Sequence, residues 1–428
     1  MFSMIRVPAR PAVGRAYPRK TTSPFVLFAV EGALLQLFCS VNGFANNLFA
    51  TGLGATDLQI GLIQTVPNVA ALLLLLPLGI LSDRLRSSRT IPLVSLICVA
   101  AGYVVMAAVP SLGNARILAF FCALVFTAGG PVLYNAQWQT FFGDVVQSQA
   151  RNSVLTLRNR AMFVLGIATP LVCGVVMNGP VDTMRMYQLF FLLCALAAML
   201  QAAVVSGIPT PERQRASEKF SIGELGRAVR EMAGSRQFLL FFVPVVLFYM
   251  SWQMDWSMWY IGQVQYLKLT ESQMTIFSGV FNIGQLAAIG VLSKSVQKRG
   301  VDRTLPFAAL GLCSCPLIMM LCSRLPASQR MIPFTVLVTV LNAPQCATNL
   351  CIVQILLRVA PRSCRSLAVS LFTLTTTLTN CLMPYLGVRM YTALGADYRA
   401  LMLFNVATLL SRLLTLGLLL WRCKYVKE

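Results

Sequence analysis

Three ionisable side chains stand inside long apolar stretches of this 428-residue chain: Glu31, Asp255 and Arg412. A charge at mid-depth in hydrocarbon costs at least about 2.5 kcal/mol, so each needs a reason to be there. A carboxylate so placed can exchange a proton or hold a cation, which makes Glu31 and Asp255 candidates for coupling. Glu31 lies roughly 10 Å into the first stretch at 1.5 Å per residue; a carboxylate eased by a helix amino terminus would look the same. Around Asp255, Trp252, Trp256 and Trp259 fall at i−3, i+1 and i+4, so the four share one helical face. Aromatics beside a carboxylate suit an organic cation, and an interfacial tryptophan belt has the same pattern. Arg412 is read as snorkelling roughly 13 Å to the cytoplasm.

Neutral amides recur in the apolar stretches: Asn42 and Asn46, Asn135 and Gln137, Asn282 and Gln285, and Asn342, Gln345 and Asn349. Asn42 with Asn46, and Asn282 with Gln285, share helix faces. They fit either a solute or interhelical hydrogen bonding.

Other chemistries lack their residues. The chain has no histidine, the commonest general base and zinc ligand. Its 13 cysteines are scattered without C-x-x-C pairs and read as small core residues. No G-x-x-x-x-G-K-[ST] run supplies a nucleotide-driven motor. No enzyme, metal site or cofactor is expected, and any energy for transport must come from gradients.

The elements that position these residues are membrane helices. Apolar residues make up 57% of the chain and charged ones 11%, against roughly a quarter charged in soluble domains. Apolar stretches near 24–49, 58–81, 90–110, 115–141, 158–178, 185–207, 237–261, 271–293, 304–323, 331–356, 366–390 and 399–421 predict an all-α integral membrane protein of twelve transmembrane helices. With the amino terminus cytoplasmic, 27 Lys and Arg fall inside and 7 outside, Arg412 being the remaining one. That asymmetry places both termini in the cytoplasm. The net charge of +21 therefore reports topology and attraction to anionic lipid rather than nucleic acid. The expected organisation is a basic tail (1–23), a six-helix half (24–208), a cytoplasmic linker (209–236), a second six-helix half (237–421) and a short tail (422–428).

The halves carry an internal repeat. Gly79-Ile-Leu-Ser-Asp83-Arg84 is echoed by Gly290-Val-Leu-Ser-Lys294, each before a basic turn, and Gly130-Pro131 by Ala343-Pro344. In the first copy Gly79, Leu81, Asp83, Arg84 and Arg89 follow the loop pattern G-x-L-a-D-r-x-G-r-[kr], with Ser87 or Ser88 in place of the second glycine. Together with the span plan and mid-chain linker, this resembles the major facilitator superfamily. The resemblance implies that helices one, four, seven and ten line a central cavity, which would make the amides and tryptophans above substrate contacts. It also implies a cytoplasmic gate at which Asp83 faces Arg362 to Ser366, with Gly79, Arg84, Arg89 and Arg365 as the other gate residues. Two family features are missing: the fourth stretch has no arginine over Leu124 to Gly130, and the fifth keeps only Gly166, Pro170 and Gly174 of the antiporter signature.

The expected function is secondary active transport of a small organic solute by alternating access, proton-coupled, as drug or metabolite efflux or solute uptake. The alternative is a non-transporting membrane sensor or scaffold on the same fold. Expected partners are the solute, a proton and a bilayer with anionic lipids; the expected state is a monomer in a bacterial inner membrane.

Overall fold

A computed structural model describes residues 24–85, 87–146, 151–179, 182–210, 230–360 and 365–425. These residues are helical rods joined by short turns. The rods are α1 (Pro24–Gly52), α2 (Asp57–Arg84), α3 (Thr90–Ala108), α4 (Arg116–Leu124), α5 (Gly130–Val145), α6 (Arg151–Val176) and α7 (Thr183–Ser206), then α8 (Arg236–Met254), α9 (Trp256–Ile261), α10 (Glu271–Arg299), α11 (Val301–Cys322), α12 (Met331–Leu341), α13 (Thr348–Val359), α14 (Arg365–Ala393) and α15 (Tyr398–Tyr425). Among the described residues, ten helical segments are long and apolar enough to cross a membrane. One of these, Thr90–Val145, runs 56 residues, which would be roughly 84 Å if straight, far beyond a bilayer. It turns at Val109–Ala115, where Gly113 adopts φ +54°, a conformation that costs glycine little. The expectation of twelve spans counts its two arms separately and adds α14.

Large apolar side chains such as Leu73, Leu118, Val291 and Ile332 stand 70–75% exposed. A soluble protein does not carry such a surface; lipid covers it. Helices α1 to α7 form one bundle, in which α1 packs on α6 and α7, and α3 on α7; helices α8 to α15 form another, in which α15 packs on α8 and α11. The bundles meet where α2 lies on α14 and α6 on α10. One buried core is continuous across both bundles and includes Phe49, Tyr187, Met258, Phe277, Val388 and Phe404. A second, around Phe241, Phe248, Ile355 and Phe372, belongs to α8–α15 alone.

Four prolines, Pro131, Pro170, Pro306 and Pro316, shape the interior by one device. A proline inside a helix cannot donate to the carbonyl four residues back, and in hydrocarbon that acceptor must find another partner. Pro131 fails Thr127 O, which accepts from Asn42 Nδ2 at 2.8 Å. Pro170 fails Gly166 O, which accepts from Asn282 Nδ2 at 2.8 Å across the two bundles. Pro306 fails Asp302 O, which accepts from Cys423 Sγ at 3.0 Å, and Pro316 fails Leu312 O, which accepts from Arg412 Nη1 at 2.6 Å. Asn42→Leu keeps volume but orphans Thr127 O. A loss of about 1 kcal/mol is expected, read as a lower thermal midpoint in detergent with no change in solute binding.

The tail 1–23 and residues 211–229 of the expected linker lie outside the described residues.

Candidate functional site

Between the bundles lies a cavity of about 420 Å³, lined from α1 by Gln36, Ser40 and Phe44, from α8 and α9 by Trp252, Asp255, Trp256 and Trp259, and from α10 by Phe277, Phe281 and Asn282. Cys315 of α11, Asn342 and Gln345 beyond α12, and Arg412 of α15 complete its wall. Two helices change their winding beside it. The hydrogen-bond ladder shifts at Asp255, which keeps helical dihedrals between α8 and α9; Asn342, also helical in its dihedrals, leads α12 into the tighter turn Ala343–Ala347. Packing is close at the first of these, because a Cβ on Gly387 of α14 would meet Met254 O at 2.2 Å.

Arg412 does not snorkel to the cytoplasm. Its guanidinium is 2% exposed and donates from Nη2 to Asp255 Oδ2 at 2.8 Å and from Nη1 to Leu312 O. The reason is energetic: at this depth an opposite charge and a proline-freed carbonyl offer more than a long reach to water. Asp255 is likewise buried, at 6% exposure, rather than facing outside water.

Glu31 sits elsewhere, fully buried within the first bundle. Its Oε2 accepts from Arg158 Nε at 2.8 Å, and its Oε1 from Tyr134 Oη at 2.7 Å, Gln201 Nε2 at 3.0 Å and Arg158 Nη2 at 3.2 Å. The Arg158 guanidinium lies 4.1 Å over the Trp138 ring. This carboxylate accepts four hydrogen bonds, three of them on Oε1, and lies outside the cavity lining.

Of the other expected contacts, Trp252, Trp256, Trp259, Asn282, Asn342 and Gln345 reach the cavity. Asn46, Asn135, Gln137 and Gln285 stand outside its lining, Asn42 is committed to Thr127 O, and Asn349 accepts from Tyr249 Oη at 2.8 Å. Sequence reasoning missed Gln36, Phe44, Phe277, Phe281 and Cys315. Gln36 stands four residues, about one helical turn, before Ser40, a polar periodicity that could have flagged it. The phenylalanines and cysteine carry no signal distinct from core residues. Of the expected gate, Arg89 donates from Nη1 to Ser206 O at 2.9 Å and Ile208 O at 3.4 Å, binding the carbonyl end of α7. Arg362, the surroundings of Gly79 and the side chains of Asp83, Arg84 and Arg365 lie outside what is described.

At the end remote from the termini, side chains of the two bundles interlock. Thr51 Oγ1 and Tyr260 Oη are 2.8 Å apart, Gln265 Nε2 donates to Asp57 Oδ1 at 2.9 Å, Tyr187 Oη donates to Glu271 Oε2 at 2.8 Å, and Ser272 Oγ donates to Gly174 O at 2.7 Å. Close approach there depends on glycine: a Cβ on Gly174 would come within 2.7 Å of Ile276, and one on Gly279 within 2.5 Å of Leu171. Among the described residues no group of three or more Cys, Asp or Glu could hold a metal ion. The cavity can hold a small solute between aromatic rings and a buried ion pair.

Residues 28–263 match the family model of the Major Facilitator Superfamily. No curated protein matches the sequence significantly. Among solved structures, the nucleoside transporter NupG is similar over 94% of this chain and 100% of its own, at 12% identity and a TM-score of 0.71. A POT family transporter in complex with 5-aminolevulinic acid is similar over 96% and 99%, at 13% identity and 0.71. A bacterial homologue of the human lysosomal transporter Spinster, in an inward-facing and unoccupied conformation, is similar over 94% and 98%, at 14% identity and 0.65. At these identities the likeness is one of fold.

Proposed function

The chain belongs to the Major Facilitator Superfamily, a family of transporters rather than enzymes, and from that premise we propose that it moves a small organic solute across the membrane by alternating access, driven by protons. The observation that carries this reading is the cavity between two bundles with a buried ion pair in its wall. A fixed site that two bodies can expose alternately is what such transport needs. With both termini in the cytoplasm, as the basic residues favour, the interlocked end is external.

Of the two carboxylates, Asp255 faces the cavity and is the one we assign to coupling; Glu31, enclosed by four donated hydrogen bonds, holds the first bundle together. The neighbours named for a nucleoside and for 5-aminolevulinic acid make a cargo of nucleoside size or smaller reasonable for a cavity of about 420 Å³.

The test is proton flux. Purified protein in proteoliposomes containing trapped pyranine is exposed to a panel of neutral, cationic and anionic metabolites. At least one is expected to drive a solute-dependent pH change that Asp255→Asn abolishes and Glu31→Gln preserves. Flux that persists in Asp255→Asn would remove Asp255 from coupling. Counterflow of labelled solute without any pH change would make the protein a uniporter.

A further inference from the structure

Resting on the transport reading above, we propose that the central cavity takes an aromatic solute of no net charge, uncharged or zwitterionic, and rejects the organic cation that an aromatic-flanked aspartate suggests. Among the described residues lining the cavity, Asp255 and Arg412 are the charged ones, and they stand 2.8 Å apart. Each cancels the other, so the wall as a whole is neutral.

A monocation entering this space finds Asp255 already engaged. To pair with it, the cation must displace a guanidinium that is 2% exposed and that cannot lose its proton. Arg412 would then be left buried without its counterion, the expensive half of a broken pair. A monoanion meets the converse difficulty at Asp255. A solute without net charge leaves the pair intact, or, as a zwitterion, lays its own two charges against it in the opposite sense.

A further observation shapes the solute. Trp252, Trp256, Trp259, Phe44, Phe277 and Phe281 give the cavity flat apolar walls, which favour a ring. The occupant is therefore an aromatic ring without net charge.

A matched indole series separates charge from shape: indole-3-acetamide (uncharged), tryptophan (zwitterion), tryptamine (cation) and indole-3-acetate (anion). Binding is read as the rise in thermal midpoint of the full-length protein in detergent at about pH 7.5, followed with a thiol-reactive dye. The first two compounds are expected to stabilise the wild type with an apparent affinity at least about tenfold above the charged pair. Arg412→Gln should shift the preference towards tryptamine, and Asp255→Asn towards indole-3-acetate. The wild-type series alone decides the matter if either variant fails to fold. Strongest stabilisation by tryptamine or by indole-3-acetate would overturn the proposal, and so would stabilisation by none of the four. If none of the four binds while another solute drives proton flux, transport stands and this inference falls; if the four rank as expected and no solute is carried in either flux or counterflow, the reverse holds.

Discussion

Arg412→Gln is expected to destabilise the folded protein by about 3–5 kcal/mol, the size typical of leaving one member of a buried ion pair alone. Asp255, at 6% exposure, would keep its charge with no cation beside it, and Leu312 O would lose the donor that replaces the N–H missing at Pro316. The variant should show a thermal midpoint well below the wild type. Adding Asp255→Asn should restore most of the loss, because two neutral amides can hydrogen-bond to each other without a desolvated charge. The double-mutant cycle measures this coupling directly. A midpoint in Arg412→Gln within experimental error of wild type would mean that water reaches the pair and that the cavity wall is not dry. Transport should fail in both single variants, and restored folding in the double variant without restored coupling would separate the structural role of the pair from its functional one.

Arg158→Leu is expected to cost about 3 kcal/mol or more for the same reason, and with a different functional outcome. Glu31 is fully buried, and Tyr134 and Gln201 would remain as its donors while the opposing charge and the stack on Trp138 are lost. Glu31→Gln removes the charge itself and should be milder, since Tyr134 and Arg158 can still donate to its amide oxygen. The combined Glu31→Gln/Arg158→Leu variant should lie nearer to wild type than Arg158→Leu alone. Solute-driven proton flux, normalised to folded protein, should be unchanged in Glu31→Gln. Loss of that flux with an unaltered thermal midpoint would transfer coupling from Asp255 to Glu31.

Much of the fold was legible because the bilayer leaves few choices. Stretches of about 20 apolar residues must be helices. The site was legible only in part. Trp252, Asp255, Trp256 and Trp259 could be placed on one face from spacing alone, and all four do line the cavity. The amides could not be sorted by the same argument. Asn42 and Asn282 look alike in sequence, yet one is spent on Thr127 O within a bundle while the other joins Gly166 O across the bundles at the cavity edge.

What the sequence determined by itself was local: which segments are helical, which face of each helix a residue occupies, and which carbonyls its prolines leave without a donor. Thr127, Gly166, Asp302 and Leu312 are each four residues before a proline, so their need for a partner can be read from the chain alone. What only the tertiary structure decided was who meets each need. Asp255 and Arg412 are 157 residues apart, and Glu31 and Arg158 are 127 apart. Helical periodicity fixes an angle about one axis and says nothing of the height or rotation of the neighbouring helix. Those are set by packing: by glycines such as Gly174, Gly279 and Gly387, where a Cβ would collide, and by the changes of winding at Asp255 and Asn342. An arginine free to snorkel and an arginine locked to an aspartate have the same sequence neighbourhood; the difference lies in whether the crossing helix brings a counter-charge within about 3 Å before water does.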